Sequence, residues 1–304
     1  MDTANYSIGI DLGGTRIKVG LVIDNVVTAK TIIPAQSVKG LQRHLPAIQE
    51  AIDNLIVRTG LPISGLDGVG LAFPGIVDSR SQRIISTNQK YDDALHLDLA
   101  GWVKRNWVVP FFIDNDARMA AVGEWRYGAG KDTDNLVVMT IGTGIGTAAI
   151  IAGQLLRGKH FQAGCLGGHF SVRYNGRECT CGNLGCVEAY ASAWSLKNTS
   201  EMAFTDFKAL FETANSGNPF AIQVRQECLD IWSAGIINLI HAYDPEVVVL
   251  GGGVLNSSSD IVPYITEKVR QHAWCPWGDV QIRPTQLLSD AGILGAVYGL
   301  HHPI

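Results

Sequence analysis

The chain has little of what marks a membrane protein, a nucleic-acid binder or a secreted disulfide scaffold. Its 24 lysines and arginines do not outnumber its 28 aspartates and glutamates, and the net charge of -4 gives no reason to expect a nucleic-acid or anionic membrane surface. No run of about 18 residues is wholly apolar, as a membrane span would require, because threonines and glycines interrupt the longest uncharged segment, residues 135–156. The six cysteines, three of them clustered, fit a cytoplasmic metalloprotein better than a disulfide scaffold.

The start of the sequence also lacks the pattern of a targeting segment. Residues 1–7 are polar and acidic and lead directly into a predicted strand. That pattern argues against a signal peptide and leaves no space for an appended DNA-binding domain. The length of 304 residues allows two domains, or one large domain, with an ample buried core. We therefore expect a cytoplasmic globular protein with neither membrane nor nucleic-acid partners.

Three cysteines and a histidine form the most informative cluster that is present. Cys179, Cys181 and Cys186 fall within eight residues, with glycines between them, and His169 stands ten residues before the first. Zinc takes four nitrogen or sulfur ligands, and a site closed by such ligands is structural. Disulfides fit poorly because cytosolic thiols stay reduced. Buried thiols without a metal remain an alternative, and Cys165 competes with His169 as the fourth ligand.

The periodicity of apolar residues predicts two rounds of hairpin-led α/β structure. In the first round, strands at 7–11 and 16–23 form a hairpin. In the second, strands at 135–141 and 147–151 flank another Gly-Thr turn, which suggests an internal duplication. The other predicted elements are strands at 25–33, 67–73, 108–113 and 247–250, and helices from 41 to near 60, at 117–127, at 220–243 and from 290.

Two glycine-rich turns are suited to bind a polyphosphate. The first contains Asp11, Gly13, Gly14 and Thr15. Its glycine N–H groups can face a phosphate, its threonine adds a hydroxyl, and its carboxylate can hold Mg²⁺ through water. The second turn, at 142–146, would clamp the same polyphosphate from the other side. Neither turn is a Walker loop, because no Gly-Lys-Ser/Thr follows, and the second is no dinucleotide fingerprint, because a strand follows it.

A pair of polar residues, Asn115 and Asp116, stands between a predicted strand and a predicted helix. Both residue types are good helix N-caps, which is one interpretation of the pair. A carboxylate at the carboxyl end of a strand, beside phosphate-binding turns, can instead accept a proton from a hydroxyl group. That is the role of the general base in phosphoryl transfer. The sequence leaves both interpretations open.

Together these motifs resemble the ROK family (repressors, open reading frames and sugar kinases), which belongs to the actin-like, ribonuclease H-like ATPases. The resemblance covers almost the whole chain, and its most specific part is Cys-x-Cys-Gly-x-x-Gly-Cys-x-Glu, from Cys179 to Glu188. Residues 11–20, including Lys18, resemble the first phosphate motif of the family. The second phosphate motif corresponds to Gly142, Thr143 and Gly144, the adenosine motif to Gly251, Gly252 and Gly253, and the zinc site to His169, Cys179, Cys181 and Cys186.

The resemblance implies a fold and a domain arrangement. We expect a two-domain actin-like ATPase of the α/β class, with duplicated β-hairpin-led α/β domains and a cleft between them. Residues 1–114 would form a small N-terminal domain, completed by a C-terminal helix at 290–304. Residues 115–289 would form a large domain that carries the zinc loop. Family members are commonly dimers, so a homodimer is implied.

The resemblance also implies an activity, the ATP- and Mg²⁺-dependent phosphorylation of a hexose, usually at its 6-hydroxyl. Asp116 would be the general base. Asn88, Asn115, Glu188 and His169 would hold other sugar hydroxyls, with His169 also binding a structural zinc ion. The remaining phosphate- and nucleotide-binding residues would be Asp11, Gly13, Gly14, Thr15, Lys18, Gly142, Thr143, Gly144, Gly251, Gly252 and Gly253.

One departure from the family pattern leaves the substrate open. Leu166 stands three residues before His169, where family kinases usually have a glutamate. Loss of a carboxylate acceptor would weaken binding of the usual hexose, since hydrogen bonds to charged groups contribute about 1.5–3 kcal/mol. N-acetylmannosamine, N-acetylglucosamine, fructose, allose and glycosides are therefore alternative substrates, and polyphosphate is an alternative donor. A non-catalytic or weakened sugar-binding regulator is the alternative function, because the family includes repressors.

Overall fold

The computed structural model describes residues 5–302. Residues 1–4, where the absence of a signal peptide was inferred, and residues 303–304, at the end of the predicted C-terminal helix, lie outside the described residues. The strands are β1 (Tyr6–Leu12), β2 (Arg16–Ile23), β3 (Val26–Pro34), β4 (Leu66–Phe73), β5 (Ile76–Asp78), β6 (Arg83–Ser86), β7 (Phe111–Asn115), β8 (Leu136–Ile141), β9 (Ile145–Ile151), β10 (Gln154–Leu155), β11 (Val247–Gly251) and β12 (Gln281–Pro284). The α-helices are α1 (Leu45–Thr59), α2 (Leu99–Trp107), α3 (Asp116–Tyr127), α4 (Val187–Ala191), α5 (Leu196–Thr199), α6 (Phe207–Asn215), α7 (Pro219–Tyr243), α8 (Ile261–His272) and α9 (Ala291–His301).

The first of two compact units contains the described residues up to Lys131, the segment Arg157–Gln162 and the described residues from Ser289 onward. Its sheet has the strand order β3-β2-β1-β4-β7, in which β1, β4 and β7 are parallel and β2 and β3 are antiparallel to their neighbours. The central strand β1 is almost wholly buried, as expected for a strand that is covered on both faces. The predicted domain boundary at residue 114 stays a prediction.

The second unit contains Asp132–Leu156 and Ala163–Leu288. Its sheet has the order β10-β9-β8-β11-β12, in which β8, β11 and β12 are parallel and β9 and β10 are antiparallel to their neighbours. The five strands of this sheet therefore have the same order and the same relative directions as the five strands of the first sheet. The internal duplication predicted from two Gly-Thr hairpins is therefore confirmed as a repeat of topology.

Glycines allow α9 to pack closely on α3 within the first unit. A Cβ atom at Gly295 would lie 1.8 Å from the Met119 carbonyl oxygen, and one at Gly123 would lie 2.2 Å from that of Ala291. Only glycine permits this approach of two helix backbones. The small-residue segment predicted to begin a C-terminal helix thus holds α3, whose first residue is Asp116.

The predicted strand at 108–113 is wrong at both ends. Val108 ends α2 in the left-handed conformation, with φ 58°, and β7 runs from Phe111 to Asn115. The strand starts after Pro110, because proline cannot donate a ladder hydrogen bond. It continues through Asp114, which is completely buried, because that carboxylate is paired with cations.

Two further boundaries differ from the predictions. The return strand β9 begins at Ile145, two residues earlier than expected, so the second glycine turn is shorter. The helix α1 begins at Leu45, whereas Leu41 is buried ahead of it. In the part of the chain that the structure describes, no helix combines the length and apolarity required to cross a membrane.

Candidate active site and metal centre

Asn115 and Asp116 lie where β7 passes into α3. The side-chain oxygen of Asn115 accepts a hydrogen bond from the Arg118 N–H at 3.1 Å, which confirms the capping interpretation for Asn115. Asp116 Oδ1 accepts from the Ala117 N–H at 2.8 Å and from the Asn115 amide at 3.0 Å. Within residues 5–302, Asp116 Oδ2 accepts no hydrogen bond. This second oxygen is therefore available to accept a proton.

Burial raises the pKa of Asp116. Desolvation raises the pKa of this carboxyl from 3.8 to about 6, the positive charge of Lys90 lowers it, and the negative charge of Asp11 raises it further. The side chain is half-buried and keeps some contact with solvent. At pH 7 most of the carboxyl is ionised, and its pKa is close enough to neutrality for efficient proton transfer.

A buried ion-pair cluster lies next to Asn115 and Asp116. Neither Asp114 nor Arg118 exposes any side-chain surface, and Arg118 Nη1 lies 3.4 Å from Asp114 Oδ1. Arg157 contacts the other carboxylate oxygen through Nη2 at 2.7 Å and Nε at 3.2 Å. Two cations around one carboxylate offset its desolvation. Sequence reasoning missed this cluster, although the i,i+4 spacing of Asp114 and Arg118 was a signal for it.

The first glycine turn, which is predicted to bind phosphate, closes the β1–β2 hairpin. The Gly13 N–H donates to the Arg16 carbonyl at 2.9 Å. Asp11 and Lys18 are directly opposite in the hairpin register, and their side chains form an ion pair at 2.6 Å. The two predicted phosphate-binding side chains therefore lie together, and Asp11 Oδ1 has no hydrogen bond to the rest of the described chain.

The loop that carries Asn88 is held in an unusual conformation. Asn88, Gln89 and Tyr91 have φ values of 46°, 62° and 57°, which are uncommon for residues other than glycine. The buried Tyr91 donates its hydroxyl hydrogen to the Gly13 carbonyl at 2.7 Å. This bond ties the loop of the exposed Asn88 to the first phosphate turn. Sequence reasoning missed Tyr91, since no local pattern links it to residue 13.

The second phosphate turn is held by residues that follow the cysteine loop. The turn closes on itself through the Gly142 N–H and the Gly144 carbonyl at 2.9 Å. The Ile145 N–H donates to Glu188 Oε2 at 2.5 Å. A Cβ atom at Gly144 would lie 2.6 Å from the same oxygen, so a larger residue there would displace the Glu188 carboxylate. Glu188, predicted to contact sugar, is thus in contact with the turn.

The glycine run after β11 lies beside the same turn. Gly252 has φ 92°, and a Cβ atom there would lie 2.2 Å from the Ile141 carbonyl oxygen. Ile141 ends β8, immediately before Gly142. Gly251 pairs with Thr140 in the register of the sheet. The predicted adenosine motif and the second phosphate motif are therefore neighbours.

The predicted site residues fall into two groups, one in each unit. The first unit carries Asp11, Gly13, Gly14, Thr15, Lys18, Asn88, Asn115 and Asp116. The second carries Gly142, Thr143, Gly144, His169, Cys179, Cys181, Cys186, Glu188, Gly251, Gly252 and Gly253.

The four predicted zinc ligands converge in the second unit. One ligand atom from each of His169, Cys179, Cys181 and Cys186 lies within 4.8 Å of all the others. The His169 Nδ1 to Cys179 Sγ distance is 3.5 Å, and the Cys181 Sγ to Cys186 Sγ distance is 3.8 Å. Tetrahedral zinc with bonds of about 2.0–2.3 Å separates its ligand atoms by about 3.5–3.8 Å. The donor set and its spacing fit a structural zinc ion, and Cys165 is not in the group.

Metal analysis of a cysteine variant tests this centre. We expect wild-type protein to hold one zinc ion per chain and Cys186→Ser to lose most of it, because three remaining ligands bind zinc far more weakly. Inductively coupled plasma mass spectrometry on purified protein measures the ratio. Cys228→Ala is the matched control, since Cys228 is also buried but lies on α7. Equal zinc contents in folded Cys186→Ser and wild-type protein would exclude Cys186 as a ligand.

The fold and the two glycine hairpins define a class of protein. Two five-stranded sheets of the same hairpin-led order, each with helices in its unit, constitute an α/β protein with the actin-like ATPase fold. A Cys/His cluster lies between β10 and α4.

The sequence pattern of the ROK family matches residues 7–302, and the chain belongs to this family. It is 31% identical over 312 residues to a glucokinase of Thermotoga maritima, with 95% of each chain covered. It is 30% identical to a xylose repressor of Bacillus spizizenii, with 96% of this chain and 76% of the repressor covered. A ROK family glucokinase from Streptomyces griseus, solved with glucose and AMPPNP, matches with a TM-score of 0.83 and 27% identity, covering 98% of this chain and 99% of that one.

Proposed function

We propose that this protein is an ATP-dependent sugar kinase that transfers the γ-phosphoryl group to the 6-hydroxyl of a hexose or hexose derivative. The observation that carries the proposal is Asp116: one of its carboxylate oxygens has no partner in residues 5–302, and its pKa is about 6. The glucokinases of Thermotoga maritima and Streptomyces griseus, similar over nearly their whole length, support the same reaction class.

In the proposed reaction Asp116 is the general base. Its free oxygen takes the proton of the sugar hydroxyl as the hydroxyl oxygen attacks the γ-phosphorus, and ADP leaves with the electron pair of the broken P–O bond. Asn115, which caps α3 and donates to Asp116, holds that carboxylate in place. Asn88, Asn115, His169 and Glu188 are the proposed sugar contacts.

The phosphate groups of ATP are proposed to bind the two glycine turns. In the first, Lys18 supplies a positive charge, Gly13 closes the turn through its bond to Arg16, and Gly14 and Thr15 supply N–H and hydroxyl donors. Asp11 Oδ1, a hard oxygen donor without a hydrogen bond among the described residues, would hold Mg²⁺ through water. When bound, Mg²⁺ neutralises charge on the phosphate oxygens. In the second unit, the proposed contacts are Gly142, Thr143, Gly144, Gly251, Gly252 and Gly253.

The zinc ion has a structural part in this proposal. It would hold the cysteine loop and bind His169 through Nδ1, the ring nitrogen that lies near Cys179 Sγ. His169 Nε2, which has no hydrogen bond to any described residue, would then be free to contact a sugar hydroxyl. A cytoplasmic homodimer without nucleic-acid or membrane partners completes the proposal.

A non-catalytic, sugar-binding regulator is the second candidate. It is favoured by the similarity to the xylose repressor of Bacillus spizizenii, which covers 96% of this chain. It is also favoured by Leu166, at a position where family kinases usually have an acidic residue. The regulator would bind sugar without consuming ATP.

A coupled ADP-release assay separates the two candidates. The sugars tested are glucose, mannose, fructose, allose, N-acetylglucosamine, N-acetylmannosamine and a β-glucoside, with ATP and then polyphosphate as donor. We expect at least one sugar to give ADP release at 1–10³ s⁻¹, roughly the usual range for enzymes. Specific sugar binding by calorimetry without ADP release or polyphosphate consumption would favour the regulator.

A further inference from the structure

The second phosphate turn (residues 142–146) is attached by a set of hydrogen bonds to the segment that follows the metal loop. The metal loop is the cysteine loop described above, from His169 to Cys186. The Ala193 N–H donates to the Gly142 carbonyl at 3.0 Å, and the Trp194 N–H donates to the Thr143 carbonyl at 3.1 Å. In the opposite direction, the Ile145 N–H donates to Glu188 at 2.5 Å. These bonds orient successive peptide groups of the turn.

Glu188 is the centre of this attachment. Its side chain is 5% exposed, and its two carboxylate oxygens accept from two different groups: Oε2 from the Ile145 N–H, and Oε1 from the Trp194 indole N–H at 3.1 Å. A buried carboxylate needs such donors, and hydrogen bonds to an ionised acceptor are about twice as strong as neutral ones. The charge of Glu188 therefore stabilises one conformation of the turn.

The same residues are continuous with the metal ligands. Cys186 is the residue before α4, and Glu188 lies in the first turn of that helix. The Val187 N–H donates to the carbonyl of Phe170, the residue that follows His169. The guanidinium groups of Arg173 and Arg177 lie 4.6 and 4.5 Å from the ring centre of Tyr190, which is also on α4. The helix that carries Glu188 is thus held directly by the metal loop.

We infer that Glu188 and Trp194 are positioning residues. Through their hydrogen bonds, an ordered metal loop holds the second phosphate turn in the conformation that binds the phosphate groups of a nucleotide. The inference rests on the proposed function for the identity of the ligand, a nucleoside triphosphate. It gives Glu188 a role beyond the sugar contact that the family resemblance implies. A zinc ion that orders the cysteine loop thereby also orders the turn, and loss of the ion weakens nucleotide binding as well as sugar binding.

Trp194→Phe provides the first test, because it keeps an aromatic ring and removes the indole N–H donor to Glu188. We expect its Kd for AMPPNP to rise about tenfold, its Kd for the sugar to stay within about twofold, and its zinc content to be unchanged. Calorimetry on the full chain measures both Kd values. Trp274→Phe is the matched control, since Trp274 is 83% exposed and should change neither value.

Glu188→Gln separates positioning from sugar contact. Glutamine keeps one acceptor for the Ile145 N–H but loses the charge and presents an amide donor to the Trp194 indole. We expect nucleotide binding to weaken more than sugar binding. The reverse order, with sugar binding weakened and AMPPNP binding unchanged, would overturn the inference and return Glu188 to a sugar contact alone.

Hydrogen exchange measures how well ordered the second phosphate turn is when no ligand is bound. By mass spectrometry, amides of residues 142–146 should exchange faster in Trp194→Phe and in Cys186→Ser than in wild-type protein. Peptides of β1 serve as the internal reference and should not change. Unchanged exchange of the turn in Trp194→Phe overturns the inference, and this holds even where Cys186→Ser fails to fold.

The two proposals can fail separately. If wild-type protein binds AMPPNP and both variants bind it equally well, the positioning inference is wrong and the kinase proposal stands. If wild-type protein binds no nucleotide, the kinase proposal is wrong, and nucleotide positioning falls with it. Faster exchange of the turn in Trp194→Phe would then show only a structural link between the metal loop and the turn.

Discussion

Asp116→Asn is expected to lower kcat by about 10²–10⁴-fold while AMPPNP still binds, because an amide cannot accept the proton of the sugar hydroxyl. Asparagine preserves the hydrogen bonds that Oδ1 of Asp116 accepts from Ala117 and Asn115. The loss should therefore appear in kcat and not in nucleotide Kd. Steady-state kinetics with the best sugar of the screen, together with calorimetry, measure both quantities.

The same substitution should make the protein more stable at neutral pH. A carboxyl whose pKa is raised from 3.8 to about 6 stabilises the folded state below pH 3.8, and this contribution is lost as the pH rises through 6. The corresponding cost at pH 7 is at most about 3 kcal/mol, and the partial solvent contact of the side chain reduces it. Asp116→Asn, which stays neutral, should have a higher Tm than wild-type protein at pH 7 and a similar Tm at pH 4.

Lower activity combined with higher stability distinguishes a catalytic carboxylate from a structural one. If Asp116 only capped α3 or held the fold, Asp116→Asn, which keeps the hydrogen bonds to Oδ1, would leave kcat unchanged. Asp24→Asn, in the exposed turn between β2 and β3, changes the net charge equally and should alter neither property. Wild-type turnover in a folded Asp116→Asn protein would rule out the general-base assignment.

The pH dependence of the reaction should follow the same carboxyl. The general base must be ionised, so kcat/KM should fall about tenfold per pH unit below about pH 6. Lys90 lowers the pKa of Asp116 and Asp11 raises it, so Lys90→Met should move the inflection to higher pH. An unchanged inflection in Lys90→Met would show that another group titrates in this range.

Arg118→Met is expected to lower the free energy of unfolding by about 3–5 kcal/mol, the usual cost of removing one partner from a buried ion pair. The substitution leaves the fully buried Asp114 carboxylate with one cation fewer, and methionine cannot donate a hydrogen bond to it. Urea denaturation followed by circular dichroism measures the change in midpoint.

An exposed pair supplies the matched control for Arg118. Arg105 and Asp98 lie 3.5 Å apart with 67% and 69% of their side-chain surfaces exposed. Arg105→Met should change the free energy of unfolding by less than about 1 kcal/mol, because solvent screens the pair. Equal midpoints for the two variants would contradict the view that the Asp114 cluster anchors the junction of β7 and α3.

Local patterns in the sequence predicted the hairpins but not every end of the strands. Residues 16–23 were predicted as a strand and form β2, because their alternation and the glycine turn before them are local signals. The strand at 108–113 was misplaced, since its apolar residues continue those of α2 and its last residues are polar. The buried carboxylate of Asp114 is tolerated in the strand because Arg157 donates a hydrogen bond to it, and Arg157 is 43 residues away along the chain.

The cysteine cluster was predicted from the sequence, and its attachment to the second glycine turn was not. Spacing grouped Cys179, Cys181 and Cys186 and left His169 and Cys165 as alternatives for a fourth ligand, and in the structure it is His169 that lies with the three cysteines. The attachment of Glu188 to Ile145 joins residues 43 positions apart and leaves no periodic mark in the sequence. Only the folded chain relates this loop to the phosphate turn.

The sequence by itself determined the repeated hairpin topology, the glycine turns, the cysteine cluster and membership of the ROK family, because each depends on residues that are close along the chain. Tertiary structure decided which donors and acceptors meet: Tyr91 with Gly13, 78 residues apart, and Arg157 with Asp114. Burial, which raises the pKa of Asp116, is likewise a property of the packed chain. Such contacts follow from the pairing of strands and the packing of helices, and a single sequence carries no local signal for them.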